Sequence, residues 1–377
     1  ELELARTVYL QALEIRQAIG DRSGTAVSLN NIGLIYSRLK QPAEALDYFQ
    51  QSLAMYRAIG NRVGIAYALG NIGLVYQQQD YYSQALYALE RALSIQQDIG
   101  NLSGEATTLN NIALVYELQL QYSEAFDTYQ VALAIFQDIG DRAGEQLTLS
   151  NIGYLLEQQG EVELAIVFYK KAVGVIEKIR LELQEFSVDQ QQTYTETVAE
   201  TYRHLANLLL SQGRVVEAQK VLELLKVEEL REFTRDSRNL HSDDDIILNV
   251  IETTILEEFN TLVAFGKQVY ECEQTNCDKL SSYRQGRRAQ ANLFDTQANI
   301  FIQTIRDNRQ NDDFFYDPRY LNETARDIVA QPGTLLIYPF VTEDKLWLLY
   351  SAKGDVAGAA PVNVSQLELG KKVVDFR

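Results

Sequence analysis

A 40-residue self-similarity constrains the first half of this chain more than any other feature. Ile19-Gly20-Asp21 returns as Ile59-Gly60-Asn61, Ile99-Gly100-Asn101 and Ile139-Gly140-Asp141. Asn31-Ile32-Gly33 returns as Asn71-Ile72-Gly73, Asn111-Ile112-Ala113 and Asn151-Ile152-Gly153, with Ala45, Ala85, Ala125 and Ala165 between them. A fixed period of this length marks one supersecondary unit that cannot bury its apolar face alone and must stack on its copies.

Each unit reads as two antiparallel helices. In the second, Ala85, Leu89, Ala92 and Ile95 recur at helical spacing and stop at Gly100. Glycine there takes the left-handed conformation that closes a helix, and Asn101 caps the next one at once. The first helix then runs from about Ser103 to Leu118, with Leu109, Ile112, Ala113 and Tyr116 on one face. Gln119 to Tyr122 is the expected turn, with Ser123 as the expected cap; Pro42 marks the same point in the first full unit, where proline suits an opening helical turn. Gly73 is expected to face Ala85 so that two backbones approach closely, while Tyr76 and Leu89 fill the wider space beside them.

These positions resemble the tetratricopeptide repeat. Its small-residue, aromatic and alanine pattern is met by Gly73, Tyr76, Ala85 and Ala92, by Ala113, Tyr116, Ala125 and Ala132, and by Gly33, Tyr36 and Ala45. The 40-residue length is similar to the repeats of kinesin light chains and related cargo receptors. The resemblance implies an α-solenoid, a right-handed superhelix of helix pairs. Glu1 to Gly20 supplies half a unit, and the units 21–60, 61–100, 101–140 and 141–180 follow. A degenerate stretch, 181–238, keeps His204-Leu205-Ala206, Gly213, Ala218 and Leu222 at repeat spacing.

The same resemblance places first helices on a concave wall and the residue before the recurrent isoleucine on its surface. That residue is Asn31, Asn71, Asn111 and Asn151, doubled by Asn30 and Asn110. A carboxamide both donates and accepts, so a row of them can pair with the backbone of an extended peptide or protein segment whatever its sequence. The same side chains can instead bond to neighbouring repeats and fix the stagger of the stack; both readings stay open. Tyr67, Gln77 and Tyr154, with Arg38 and Glu117, are further wall candidates. Their mixed character does not suit a clamp for a terminal carboxylate.

Beyond the repeats, Asn239 to Asp245 is polar and acidic and reads as a break. Residues 246–308 are expected to form a helical hairpin. Ile247, Ile251, Ile255, Phe259, Leu262, Gly266 and Val269 share one face of its first helix. Leu280, Tyr283, Arg287, Ala291, Phe294, Ala298, Phe301 and Ile305 share one face of the second. From Thr334 the period changes to that of strands. Leu335 to Tyr338 and Leu346 to Tyr350 predict a β-hairpin, followed by a short strand near Val362 to Val364 and a helix over Leu367 to Phe376. Residues 332–377 thus open an incomplete α/β domain.

Pro332-Gly333-Thr334-Leu335-Leu336 with Tyr338, then Val341-Thr342-Glu343-Asp344-Lys345-Leu346, resembles the start of a CHAT domain. CHAT domains are caspase-like modules that follow tetratricopeptide repeats and abound in cyanobacteria. The resemblance implies a cysteine peptidase with a His-Cys dyad in motifs that lie beyond these opening strands.

Composition excludes several classes. The 34 Lys and Arg against 52 Asp and Glu give a net charge of -18, which repels nucleic acid and anionic membrane surfaces. Cys272 and Cys277 are expected to be ordinary turn thiols, and with His204 and His241 as the two histidines they make neither a metal site nor a dyad. The expectation is therefore a cytoplasmic, non-enzymatic binding protein without metal or cofactor. It would be the sensor or regulatory part of a repeat-plus-CHAT protease. The alternative is an assembly scaffold that self-associates and carries an inactive C-terminal domain.

Overall fold

A computed structural model describes residues 2–183, 186–231, 248–308, 335–341, 346–352 and 355–362. Thirteen helices and three strands are described. The repeat helices are α1 (Leu2–Ala18), α2 (Arg22–Arg38), α3 (Pro42–Ala58), α4 (Arg62–Gln78), α5 (Tyr82–Asp98), α6 (Leu102–Leu118), α7 (Tyr122–Asp138) and α8 (Arg142–Gln158). The longer α9 (Val162–Leu183) and α10 (Val188–Ser211) precede α11 (Val215–Arg231), α12 (Val250–Thr275) and α13 (Leu280–Asp307). They group into two compact units, Glu1–Asn151 with Val263–Arg287, and Ile152–Leu262 with Arg288–Arg377.

In the first unit, the sequence punctuation becomes geometry. Gly20, Gly60, Gly100 and Gly140 have φ of +66 to +75°, the left-handed region that only glycine enters without cost. Asp21, Asn61, Asn101 and Asp141 then accept the backbone N–H three residues on, at 2.8–3.2 Å. That N–H belongs to Gly24, Gly64, Gly104 or Gly144, a second glycine row that the sequence reading did not single out. A methyl group at Gly64 would lie 2.3 Å from the Tyr56 ring, and at Gly144 2.3 Å from Phe136. These glycines let each second helix close onto the next first helix. Gly73 has the expected role within a pair, with the Leu89 side chain 2.7 Å and the Ala85 carbonyl 3.3 Å from an added methyl.

The turn inside each unit follows a different rule. Lys40, Asp80 and Leu120 hold φ of +57 to +61°, where the fourth unit has Gly160. The expected cap Ser123 lies inside α7; the cap position is Gln121, which makes no side-chain cap bond. Leu120 is 70% exposed, so its side chain contributes little packing to offset the backbone cost. Leu120→Gly should therefore raise stability by about 1 kcal/mol in urea unfolding. An unchanged or lower midpoint would mean that this turn is not held left-handed.

The tip of the hairpin, Val263–Arg287, belongs to the first unit and packs on α5 to α7. Tyr270 joins the cluster of Ala106, Leu109, Ala132, Ile135 and Phe136. Its hydroxyl donates to Glu105 Oε1 at 2.6 Å and accepts from Gln97. Lys267 pairs with Asp138 and Arg287 with Asp127. Cys272 and Cys277 are joined as a disulfide across the end of α12, which corrects the expectation of free turn thiols. Left-handed Asn276 (φ +50°) turns the chain back, the Cys277 N–H donates to the Cys272 carbonyl, and the two Cα atoms lie 4.9 Å apart, within bridging range.

In the second unit, α10 and α11 pair as a degenerate repeat, with Ala206 and Ala218 fully buried and Gly213 left-handed between them. The base of the hairpin packs here through Phe259, whose ring meets Phe168 edge-on at 4.6 Å and Phe294 at 5.9 Å. A buried ion cluster joins three helices. Glu252 of α12 accepts from Lys170 of α9 at 2.9 and 3.0 Å and from Arg214 at 2.7 Å, and Glu217 of α11 pairs with both cations. All four side chains are at most 6% exposed.

Three antiparallel strands, β1 (Leu335–Val341), β2 (Leu346–Ala352) and β3 (Asp355–Val362), form a sheet in sequence order. The third strand ends at Val362 instead of beginning there, as the sequence had suggested. The polar break at Asn239 to Asp245, His241 and the helix expected over Leu367 to Phe376 lie outside the described residues.

Candidate peptide-binding face

Within the first unit, burial splits every first helix into two faces. On α4, Ala66, Ala68, Leu69, Ile72, Gly73 and Val75 face the core. Val63, Tyr67, Gly70, Asn71, Leu74 and Gln78 form the opposite stripe, at the three-and-four spacing of one helical face. The matching stripe of α2 is Ser23, Val27, Asn30, Asn31, Leu34 and Arg38. In α6 it is Ser103, Thr107, Asn110, Asn111, Leu114 and Leu118. The part of α8 in this unit adds Ala143, Leu147, Ser150 and Asn151.

The asparagines divide into two kinds. Asn71 Nδ2 donates to Asn30 Oδ1 at 3.0 Å, and Asn151 Nδ2 donates to Asn110 Oδ1 at 3.2 Å. Asn110 is buried and also accepts from the Thr148 hydroxyl at 3.2 Å. These bonds staple α2 to α4 and α6 to α8. The equivalent partner for Asn111 would be residue 70, which is glycine, with open space where a side chain would begin. Asn111 and Asn31 make no side-chain hydrogen bond among the described residues. The neighbour-bonding alternative is thus met by Asn30, Asn71, Asn110 and Asn151, and Asn31 and Asn111 take no part in it.

The apolar neighbours of the asparagines stay exposed. Val27, Leu34, Val63, Tyr67, Leu118 and Leu147 are 37–55% exposed, and each lies on the stripe. No carboxylate stands on it, and Arg38 is its one charged member. Outward surfaces of the second helices carry the acids instead, among them Glu44, Asp47, Glu90, Asp98 and Glu124. In a chain of net charge -18, that partition sets the stripe apart.

Two further wall candidates stand at the edge of the stripe. Gln77 follows Gly70 by seven residues, about two turns, so it borders the stripe on that side and is half-buried. Glu117 has the same place on α6, two turns past Asn110, but is 5% exposed and accepts from the buried Tyr129 hydroxyl at 3.0 Å. Burial pushes its carboxyl up to about 7, against the lowering effect of the Tyr129 hydrogen bond. In the second unit, Tyr154 is 42% exposed and meets the His204 ring edge-on, while Tyr169 stacks on that ring.

Among the described residues no group of three or more His, Cys, Asp or Glu side chains could hold a metal, and no helix is long and apolar enough to cross a membrane.

Comparison with known proteins bears on the repeats. Family models of the tetratricopeptide repeat match residues 1–58 and 64–138, and a second such model matches 148–178. No curated protein matches the sequence. Among solved structures, BtubC (BKLC) from P. vanneervenii is 16% identical and superposes with a TM-score of 0.50 over 64% of this chain and 96% of its own. A putative kinesin light chain with nearly identical repeats from Podosopora anserina is 17% identical, with a TM-score of 0.41 over 55% of this chain and 96% of its own. NprR in complex with its cognate peptide NprX is 16% identical, with a TM-score of 0.42 over 78% and 84%. The matched segments, the paired helices and the BtubC likeness agree: the N-terminal 178 residues of this chain are an array of tetratricopeptide repeats.

Proposed function

We propose that the first-helix stripe of residues 23–151 binds an extended polypeptide. Asn111 and Asn31 would read its backbone, and Tyr67 and the exposed valines and leucines would seat its side chains. One observation carries this reading: Asn111 keeps a full set of carboxamide donors and acceptors on a half-buried, apolar-flanked surface without using them. Asn71 and Asn151 each spend a donor on a neighbouring helix and retain an oxygen that can accept.

Selection of random peptides from a displayed library on the purified chain tests the proposal. Selected peptides are expected to bind Asn111→Ala about fivefold to tenfold more weakly, the value of one or two hydrogen bonds, with an unchanged unfolding midpoint. Asn71→Ala should instead lower the midpoint, because it removes a staple between helices. Equal binding to Asn111→Ala, or failure to select any peptide, sinks the reading.

The wider role proposed for the chain is as the receiving part of a repeat-plus-CHAT protease. The CHAT-like opening at Pro332 to Leu346 and the order of repeats, hairpin and sheet support it. This reading requires a histidine and a later cysteine in caspase-like motifs on the same polypeptide. Their absence would favour an assembly scaffold, which light scattering would register as a defined oligomer.

A further inference from the structure

Resting on that reading, we infer what kind of polypeptide the stripe accepts: an uncharged, extended segment whose apolar side chains recur at every third residue. The first argument is charge. The stripe carries no carboxylate and one cation at its α2 edge, in a chain with 18 more acids than bases. A basic ligand is drawn to the acidic chain as a whole, but on the stripe it finds no partner and must desolvate its cations there. An acidic ligand finds only Arg38 and must desolvate its carboxylates while approaching an acidic protein. Apolar and neutral polar groups pay neither cost.

The second argument is spacing. The asparagine staples hold α2 against α4 and α6 against α8, and helices in such contact lie about 8–10 Å apart. Each of the four first helices presents a similar station, an asparagine beside at least one apolar residue: Val27 and Leu34 on α2, Tyr67 and Leu74 on α4, Leu114 on α6, where the other flank is the polar Thr107, and Leu147 on α8. An extended strand rises about 3.3 Å per residue, and polyproline II makes one three-residue turn in about 9.3 Å. One station thus corresponds to three residues of ligand. A polyproline-II segment brings the same face back to the wall at every station, whereas a strand's two-residue alternation falls out of step after one. Such a segment also leaves its backbone groups unpaired, as the carboxamide of Asn111 requires.

Capped synthetic peptides of about twelve residues test this, since four stations need about ten to twelve residues. One peptide places leucine at every third position with proline, serine and glutamine between. A second has the same composition with leucine at every second position, and a third replaces two of the in-register leucines of the first by glutamate. Fluorescence anisotropy should show the first binding at least about tenfold tighter than either other, the value of one well-seated leucine. It should also lose about tenfold on Tyr67→Ser, an exposed position whose change leaves the fold intact. If library-selected peptides bind through Asn111 but the every-third peptide has no advantage, the period is wrong and the binding face stands. If neither synthetic nor selected peptides bind, both fail together.

Discussion

Glu252→Gln is expected to destabilise the second unit by about 3–5 kcal/mol at neutral pH, the largest single effect in the molecule. The substitution keeps the shape of the side chain and removes one of two negative charges from a cluster that contains Lys170, Arg214 and Glu217. Those three are left with an excess positive charge in a site with almost no solvent. The attraction that remains does not offset the cost of keeping a second cation dry. Removing a pair is expected to be milder: Lys170→Met with Glu252→Leu leaves Arg214 and Glu217 as a neutral partnership. The double variant should lose less than the sum of the single ones, and urea unfolding of all four proteins measures the coupling.

The pH dependence of this cluster has a definite sign. Burial alone would raise the Glu252 carboxyl, but Lys170 and Arg214 overcome it and hold the group below its ordinary value of 4.5. A carboxylate depressed by folding contributes stability above its unfolded value and loses that contribution as pH falls through the folded one. The gap between native chain and Glu252→Gln should therefore be constant above about pH 5 and shrink steadily below it. A gap independent of pH would mean that the cluster is not charged in the folded protein.

Glu117→Gln has the opposite character and the second-largest expected effect. With its carboxyl raised from 4.5 to about 7, Glu117 binds a proton in the folded chain where the unfolded chain has lost it. Stability linked to this group is complete below about pH 4.5 and falls as pH rises toward 7. Glutamine still accepts the Tyr129 hydroxyl and never ionises. The variant should match the native chain near pH 4 and exceed it by up to about 3 kcal/mol near pH 8, at roughly 1.4 kcal/mol for each tenfold change in proton affinity on folding. Unfolding at the two pH values decides it, and an advantage at pH 4 would refute the mechanism.

These two sites also show where sequence reading stopped. Helix ends were legible because each depends on one residue and its immediate neighbours: Gly100 closes, Asn101 caps, and the unit repeats. The asparagine row was legible as a row, but its division was not. Whether Asn111 is free depends on residue 70, 41 positions earlier, and on contact between α4 and α6. The burial of Glu117 under the Tyr129 hydroxyl is a tertiary contact that its helical position, shared with the half-buried Gln77, does not announce. The Cys272–Cys277 bridge depends on one left-handed residue, Asn276, which nothing in its neighbourhood announces. The ion cluster gathers residues from 170 to 252, and only tertiary structure can bring those together.

The glycine row at 24, 64, 104 and 144 has a consequence for how such a chain can change in length. Across these seams the residue met by the glycine is Arg16, Tyr56, Gln96 or Phe136, so four unlike side chains fit the same seat. A joint this indifferent to its partner is interchangeable. Copying residues 61–100 in tandem would set Gln96 against a second Gly64 and meet the same backbone geometry as the native joints. Growth or shortening by whole modules is thereby open at these seams, although a copied Asn71 would meet Gly70 instead of Asn30 and make no staple; the length of the first-helix face becomes a matter of copy number.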